Sequence, residues 1–152
     1  MWRVLVKGRI SSVAVAFAYL CAATDAMAAD WRIYSGTDTM MLVLDASSLK
    51  QGNRVASVWT GVLNKEKDRF GLDYILVRRE VDCEAETSNR TSFTGYVLGG
   101  MNIASSEERT PLVPARPDST DQHLIKAVCN NDYYEEGVSD IEKLLLAWRG
   151  AP

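Results

Sequence analysis

The 152-residue sequence holds one histidine, His123, and three cysteines, Cys21, Cys83 and Cys129. Structural and catalytic zinc sites draw on four or three protein ligands at recognisable spacing, so this inventory argues against a metal centre, and no cofactor is expected. The Gly-x-Ser-x-Gly turn that exposes a catalytic serine is also missing. No apolar run reaches the roughly 20 residues that a membrane-spanning helix requires. Positive charge is scarce too: 17 basic residues stand against 20 acidic ones. Non-specific attraction to nucleic acid or to an anionic lipid surface is dominated by positive protein charge, so neither is an expected partner.

The amino terminus is built differently from the rest. Arg3, Lys7 and Arg9 precede an apolar stretch from Ile10 to Ala23, and Ala26-Met27-Ala28 follows it. This is the order of a secretory signal peptide, with the small side chains that signal peptidase needs at Ala26 and Ala28. A retained membrane anchor is the alternative, but the run is short and is broken or bordered by Ser11, Ser12, Thr24 and Asp25. A lipid anchor on Cys21 is the other; Leu20 stands before it where a small residue is wanted. Residues 1–28 are therefore expected to be removed, leaving residues 29–152 as a single domain. Loss of Arg3, Lys7, Arg9 and Asp25 leaves fourteen basic and nineteen acidic residues, a net charge of −5.

Cleavage leaves an even pair, Cys83 and Cys129, in a compartment where disulfides persist. We expect them to be joined, at a gain of roughly 3 to 4 kcal/mol on the chain-entropy estimate. Two buried free thiols are the competing arrangement.

Met40 to Asp45 is a short apolar run between turn-forming residues and reads as a strand. From Arg54 to Leu63, Val55, Ser57, Trp59, Gly61 and Leu63 alternate with Ala56, Val58, Thr60 and Val62, a second strand rich in β-branched and aromatic residues. Leu72 to Cys83 alternates again, with Ile75, Val77, Val81 and Cys83 on one face. Leu72, Tyr74 and Leu76 occupy its other face, which implies that its first half is covered on both sides. Phe93 to Leu98 is a further strand. Short connections favour antiparallel pairing. Pro111, Pro114 and Pro117 then suit an extended connection.

Two helices follow. Ser119 with Gln122 matches a capping box ahead of Leu124, Ile125, Val128 and Cys129; Ser139 with Glu142 matches another ahead of Ile141, Leu144, Leu145 and Trp148. The expected class is α+β: an antiparallel sheet of about four to six strands with flanking C-terminal helices.

The order of residues resembles the surface-adhesin protein E family of bacterial secreted and outer-surface proteins. The resemblance rests on Trp31, the Met40 to Asp45 strand followed by Ser47-Ser48-Leu49, and Gly52 with Val55 and Trp59. It continues through Val81-Asp82-Cys83, Phe93 and Tyr96 to Val128-Cys129. It spans residues 31–129 and treats residues 130–152 as a helical extension. Two features depart from the family pattern: a Trp-containing segment ahead of the second cysteine is replaced by Pro111-Leu112-Val113-Pro114, and the chain continues past Cys129. The resemblance implies a disulfide-linked sheet and helix, and a non-enzymatic protein of the periplasm or outer surface. In some members it implies an adhesin that binds host matrix proteins.

Candidate chemistry is sparse. His123 near Asp121 has the types of a base and its orienter, but an ordinary helix residue is the simpler account. Glu84 with Glu86 and Glu135 with Glu136 are carboxylate pairs of the kind glycosidases use, or solvated acidic loops. No catalytic residue is assigned. Tyr133 and Tyr134 beside Trp148 are candidate interface residues, since aromatic side chains concentrate in binding hot spots; packing of the last helix is the alternative. The leading expectation is an exported, non-catalytic cell-envelope protein, adhesin-like, with a protein partner or a second copy of itself. A small secreted hydrolase or an enzyme inhibitor is the runner-up.

Overall fold

The computed structural model of the protein describes residues 28–150. The signal peptide expected at 1–28 therefore lies outside the described residues except for Ala28. Six strands form an antiparallel meander in chain order, with one step between neighbours: β1 (Trp31–Gly36), β2 (Met40–Asp45), β4 (Val55–Asn64), β5 (Tyr74–Asp82), β6 (Thr87–Val97) and β7 (Met101–Ser106). Two-residue strands β3 (Lys50–Gln51) and β8 (Val113–Pro114) pair with β4 and β6. Helices α1 (Thr120–Asn130) and α2 (Ile141–Arg149) complete the α+β fold. Among the described residues no helix is long and apolar enough to cross a membrane.

The sheet is covered on both faces, and its alternation shows why. On β4 the even positions Ala56 and Val58 join Leu44 and Val81 beneath Leu124, Ile125, Ala127 and Val128 of α1. The odd position Leu63 joins Trp31, Val43 and Tyr74 beneath Ile141 and Leu145 of α2. One helix thus lies on each side. Gly61 permits the second contact, since a Cβ there would sit 2.8 Å from both Ile141 Cδ1 and Val43 Cγ2. Covering of both faces accounts for the apolar residues on each side of early β5.

The caps differ slightly from expectation. Ser119 caps α1, accepting a hydrogen bond from the Gln122 N–H at 3.2 Å. For α2 the cap is Asp140 and not Ser139: its Oδ1 accepts from the N–H groups of Glu142 and Lys143. A carboxylate there also meets the positive end of the helix dipole.

The C-terminal helix is fastened by polar contacts as well. The Asp73 carboxylate, 1% exposed, accepts from Arg149 Nη1 at 2.8 Å and from the Leu98 N–H at 2.8 Å, with Lys67 Nζ at 3.7 Å. Arg149 also donates to the carbonyl of Asn64. Tyr74 donates its hydroxyl proton to Glu142, which also accepts from the N–H groups of Gly99 and Gly100. Burial alone would raise the Asp73 pKa, but the hydrogen bonds from Leu98 and Arg149 and the charges of Arg149 and Lys67 outweigh it and hold it below the ordinary value. A depressed folded-state pKa stabilises the fold above the unfolded value and withdraws that stability as pH falls through the folded one. The urea midpoint should therefore be insensitive to Asp73 ionisation between neutrality and about pH 5 and should drop below about pH 4. Asp73→Asn should flatten part of that acid limb; an unchanged limb would place the acid sensitivity elsewhere.

Candidate functional site

The cysteine pair is joined. Cys83 lies in the turn just after β5 and Cys129 in the last turn of α1, with Cα atoms 5.8 Å apart. Cys83 is exposed, so the bridge caps the end of the first core and does not lie within it.

The three aromatic candidates are dispersed. Tyr133 is half-buried against the core beneath α1, with the Arg32 guanidinium 5.4 Å from its ring centre. Trp148 is half-buried against the core beneath α2, with Lys65 Nζ 5.5 Å from its ring centre. Tyr134 is 68% exposed, while its backbone N–H donates to the Ile33 carbonyl.

The candidate catalytic groups are not assembled. Asp121 pairs with Arg79, and Glu84, Glu86, Glu135 and Glu136 are all exposed. Among the described residues no cluster of three or more His, Cys, Asp or Glu side chains is placed to hold a metal ion.

Two features that local sequence patterns did not reveal are more suggestive. The first is a groove of about 660 Å³ on the α1 side of the sheet, beside the helix. Val62, Ile75, Val77 and Phe93 form its floor, Phe70 and Leu72 stand at one end, and Ile103 and Ala104 line its outer side. Leu72 folds against Gly95, where an added Cβ would lie 2.8 Å from the leucine side chain. At the other end are Arg79 and Arg90, directly opposite each other across β5 and β6. The second is the rim of the sheet. The outer side of β1 is closed over its first half, because Trp31 exchanges two backbone hydrogen bonds with Val138 and Ile33 accepts from Tyr134. Among the described residues β7 pairs with β6 alone, and it carries Met101 and Ile103, 63% and 47% exposed.

The family model for surface-adhesin protein E matches residues 31–130. The chain belongs to the surface-adhesin protein E family. Its fold is shared with solved structures of Haemophilus influenzae protein E. One crystal form superposes with a TM-score of 0.53 at 16% identity, covering 72% of this chain and 93% of that one. Another gives 0.51 at 15% identity over 72% and 89%. No curated protein sequence matches. The family match ends beside Cys129, so α2 lies beyond it although that helix covers the second core at Trp31, Val43, Leu63 and Tyr74.

Proposed function

We propose that this member of the surface-adhesin protein E family is exported by a leader at residues 1–28, and that residues 29–152 act as one non-catalytic, adhesin-like domain of the cell envelope. The domain holds a protein partner, and the observation that carries this reading is the unpaired outer side of β7 with its exposed Met101 and Ile103. An extended segment of a partner can add to such a strand through backbone hydrogen bonds, with alternate side chains supplying selectivity. Edge strands that are not used in this way are commonly protected by charge, proline or a covering loop; β7 itself contains no charged residue and no proline. A second copy of the chain is one partner that fits the same edge. Tyr134 supplies a further exposed contact beside the closed β1 side.

The hydrolase reading is less well supported, because Ser119 caps α1 and Asp121 is engaged by Arg79 instead of orienting His123. The test is adhesion of cells displaying the protein to surfaces coated with purified extracellular-matrix proteins. A Met101→Lys, Ile103→Lys double variant should lose attachment by at least about tenfold, on the expectation that edge lysines oppose strand addition. Its urea midpoint should stay unchanged. Attachment that survives in the double variant would remove β7 from the contact, and its absence in the unaltered protein would remove matrix adhesion.

A further inference from the structure

The groove on the α1 side has a chemistry distinct from that of the sheet rim. Its volume lies within the roughly 300–1,000 Å³ usual for small-molecule sites, and its lining follows the same plan of apolar walls with a few convergent polar groups. The polar groups are concentrated at one end. Arg79 donates to Ser88 and pairs with Asp121, but its Nε is buried without a hydrogen-bond partner. Arg90 lies with its guanidinium carbon 5.0 Å from the Phe93 ring centre, and its Nε is likewise buried and unpartnered. Among the described residues no carboxylate lies within ion-pair distance of Arg90. Asp68, the acidic residue lining the groove, sits with Phe70 and Leu72, where its Oδ1 accepts from their N–H groups. Positive charge at the arginine end thus exceeds what the protein neutralises.

We propose that this groove binds a single-chain fatty acid, with the carboxylate on Arg79 and Arg90 and the acyl chain along Phe93, Val77, Ile75 and Val62. Residues directly opposite on paired strands have Cβ atoms about 5 Å apart, which brings two guanidinium groups to one carboxylate. From Arg79 to Ile75 the strand advances about 13 Å, giving the chain an apolar track. The floor is a sheet face whose backbone donors and acceptors are committed to the β4–β5–β6 ladders. It offers nothing to the backbone of a peptide, whereas an acyl chain has no hydrogen bonds to satisfy. The Nε atoms are closed off from the groove as from solvent, so the donors a carboxylate requires are the terminal N–H groups of the two guanidinium groups that line it.

The inference does not depend on strand addition at β7. Lipid-stripped protein titrated with dodecanoate below its micelle-forming concentration in a calorimeter should bind one equivalent. Arg90→Gln should weaken binding by about tenfold or more, the usual effect of losing a charge-assisted hydrogen bond. Dodecanol should bind more weakly than dodecanoate and be indifferent to Arg90→Gln. Phe70→Asp, at a position 68% exposed, should weaken both ligands without altering the urea midpoint. Failure to bind dodecanoate, or equal affinity in the Arg90→Gln variant, would overturn the proposal. A dimer seen in sedimentation that Phe70→Asp dissociates and dodecanoate does not displace would assign the groove to a second copy and overturn it equally.

Discussion

A chain ending at Ser139 should lose its cooperative unfolding transition. Truncation removes Ile141 and Leu145, both buried, and strips cover from Trp31, Val43, Leu63 and Tyr74. Full burial of an aliphatic side chain stabilises by about 1.5–3 kcal/mol, so those two residues alone account for about 3–6 kcal/mol. Truncation also removes Arg149 and leaves Asp73 buried without its main cation, and an unpaired buried charge costs about 3–5 kcal/mol. The sum is comparable with the whole stability of a small domain, about 5–15 kcal/mol. Circular dichroism against urea should show a shallow, non-cooperative curve. A sigmoidal transition with an unchanged midpoint would mean that the sheet tolerates a bare face. The milder Leu145→Ala should keep the transition and cost about 2–5 kcal/mol.

Removal of the disulfide is the second large effect. The bridge spans 46 residues, a loop whose closure in the unfolded chain is worth about 4 kcal/mol on the entropy estimate. Because Cys83 is exposed at the end of β5, the paired substitution Cys83→Ser, Cys129→Ser should leave little buried polar surface, and the loss should come mainly from the unfolded state. Urea unfolding of the double variant should therefore show a lower midpoint together with a steeper slope, because the unlinked unfolded chain exposes more surface, whereas a core cavity of equal cost would lower the midpoint at an unchanged slope. Reductant should reproduce the shift in the unaltered protein and leave the double variant unaffected. An unchanged midpoint in both would mean that native-state relaxation offsets the loop entropy.

The sequence disclosed those parts of the fold in which burial and local pattern coincide. β4 declared itself because both faces of Val55–Asn64 pack, and α1 because Ser119 and Gln122 do locally what the helix start requires. The even cysteine pair announced a bridge. Strand β6 begins at Thr87, six residues before the expected Phe93, through a polar stretch with no apolar alternation. Its buried Ser88 and Asn89 find partners on the neighbouring strand, where Arg79 reaches Ser88 and Asn89 donates to Glu80. Pairing of that kind exists only after the strands are aligned. β1 pairs with the neighbouring β2, but the contacts that hold its outer side, to Tyr134 and Val138, lie a hundred residues away in order and leave no local signal; β7 was missed because an exposed rim strand has no inward face to pattern. β8 formed where prolines had suggested only an extended connection, as a marginal two-residue pair in which Pro114 is the second residue.

The groove was hidden for a related reason. Arg79 sits inside the charged run Arg78-Arg79-Glu80, and Arg90 follows Ser88-Asn89; neither context signals a site. A shift in register between Arg78 and Arg79 sets Arg79 against Arg90, and such irregularities re-aim side chains. By contrast, Tyr133, Tyr134 and Trp148 are close in order but are distributed over different parts of the surface by the two helices' packing on opposite faces.

The closure of β1 by Val138 and Tyr134 bears on how many molecules can join. A sheet open at both rims can recruit copy after copy and grow into a fibre, whereas one with a single vacant rim is satisfied after one addition. Were two copies to pair through β7 as proposed, the bonds of Trp31 and Ile33 to Val138 and Tyr134 would act as a chain terminator: the pairing would use up the valence of each molecule, and association by this route would end at two.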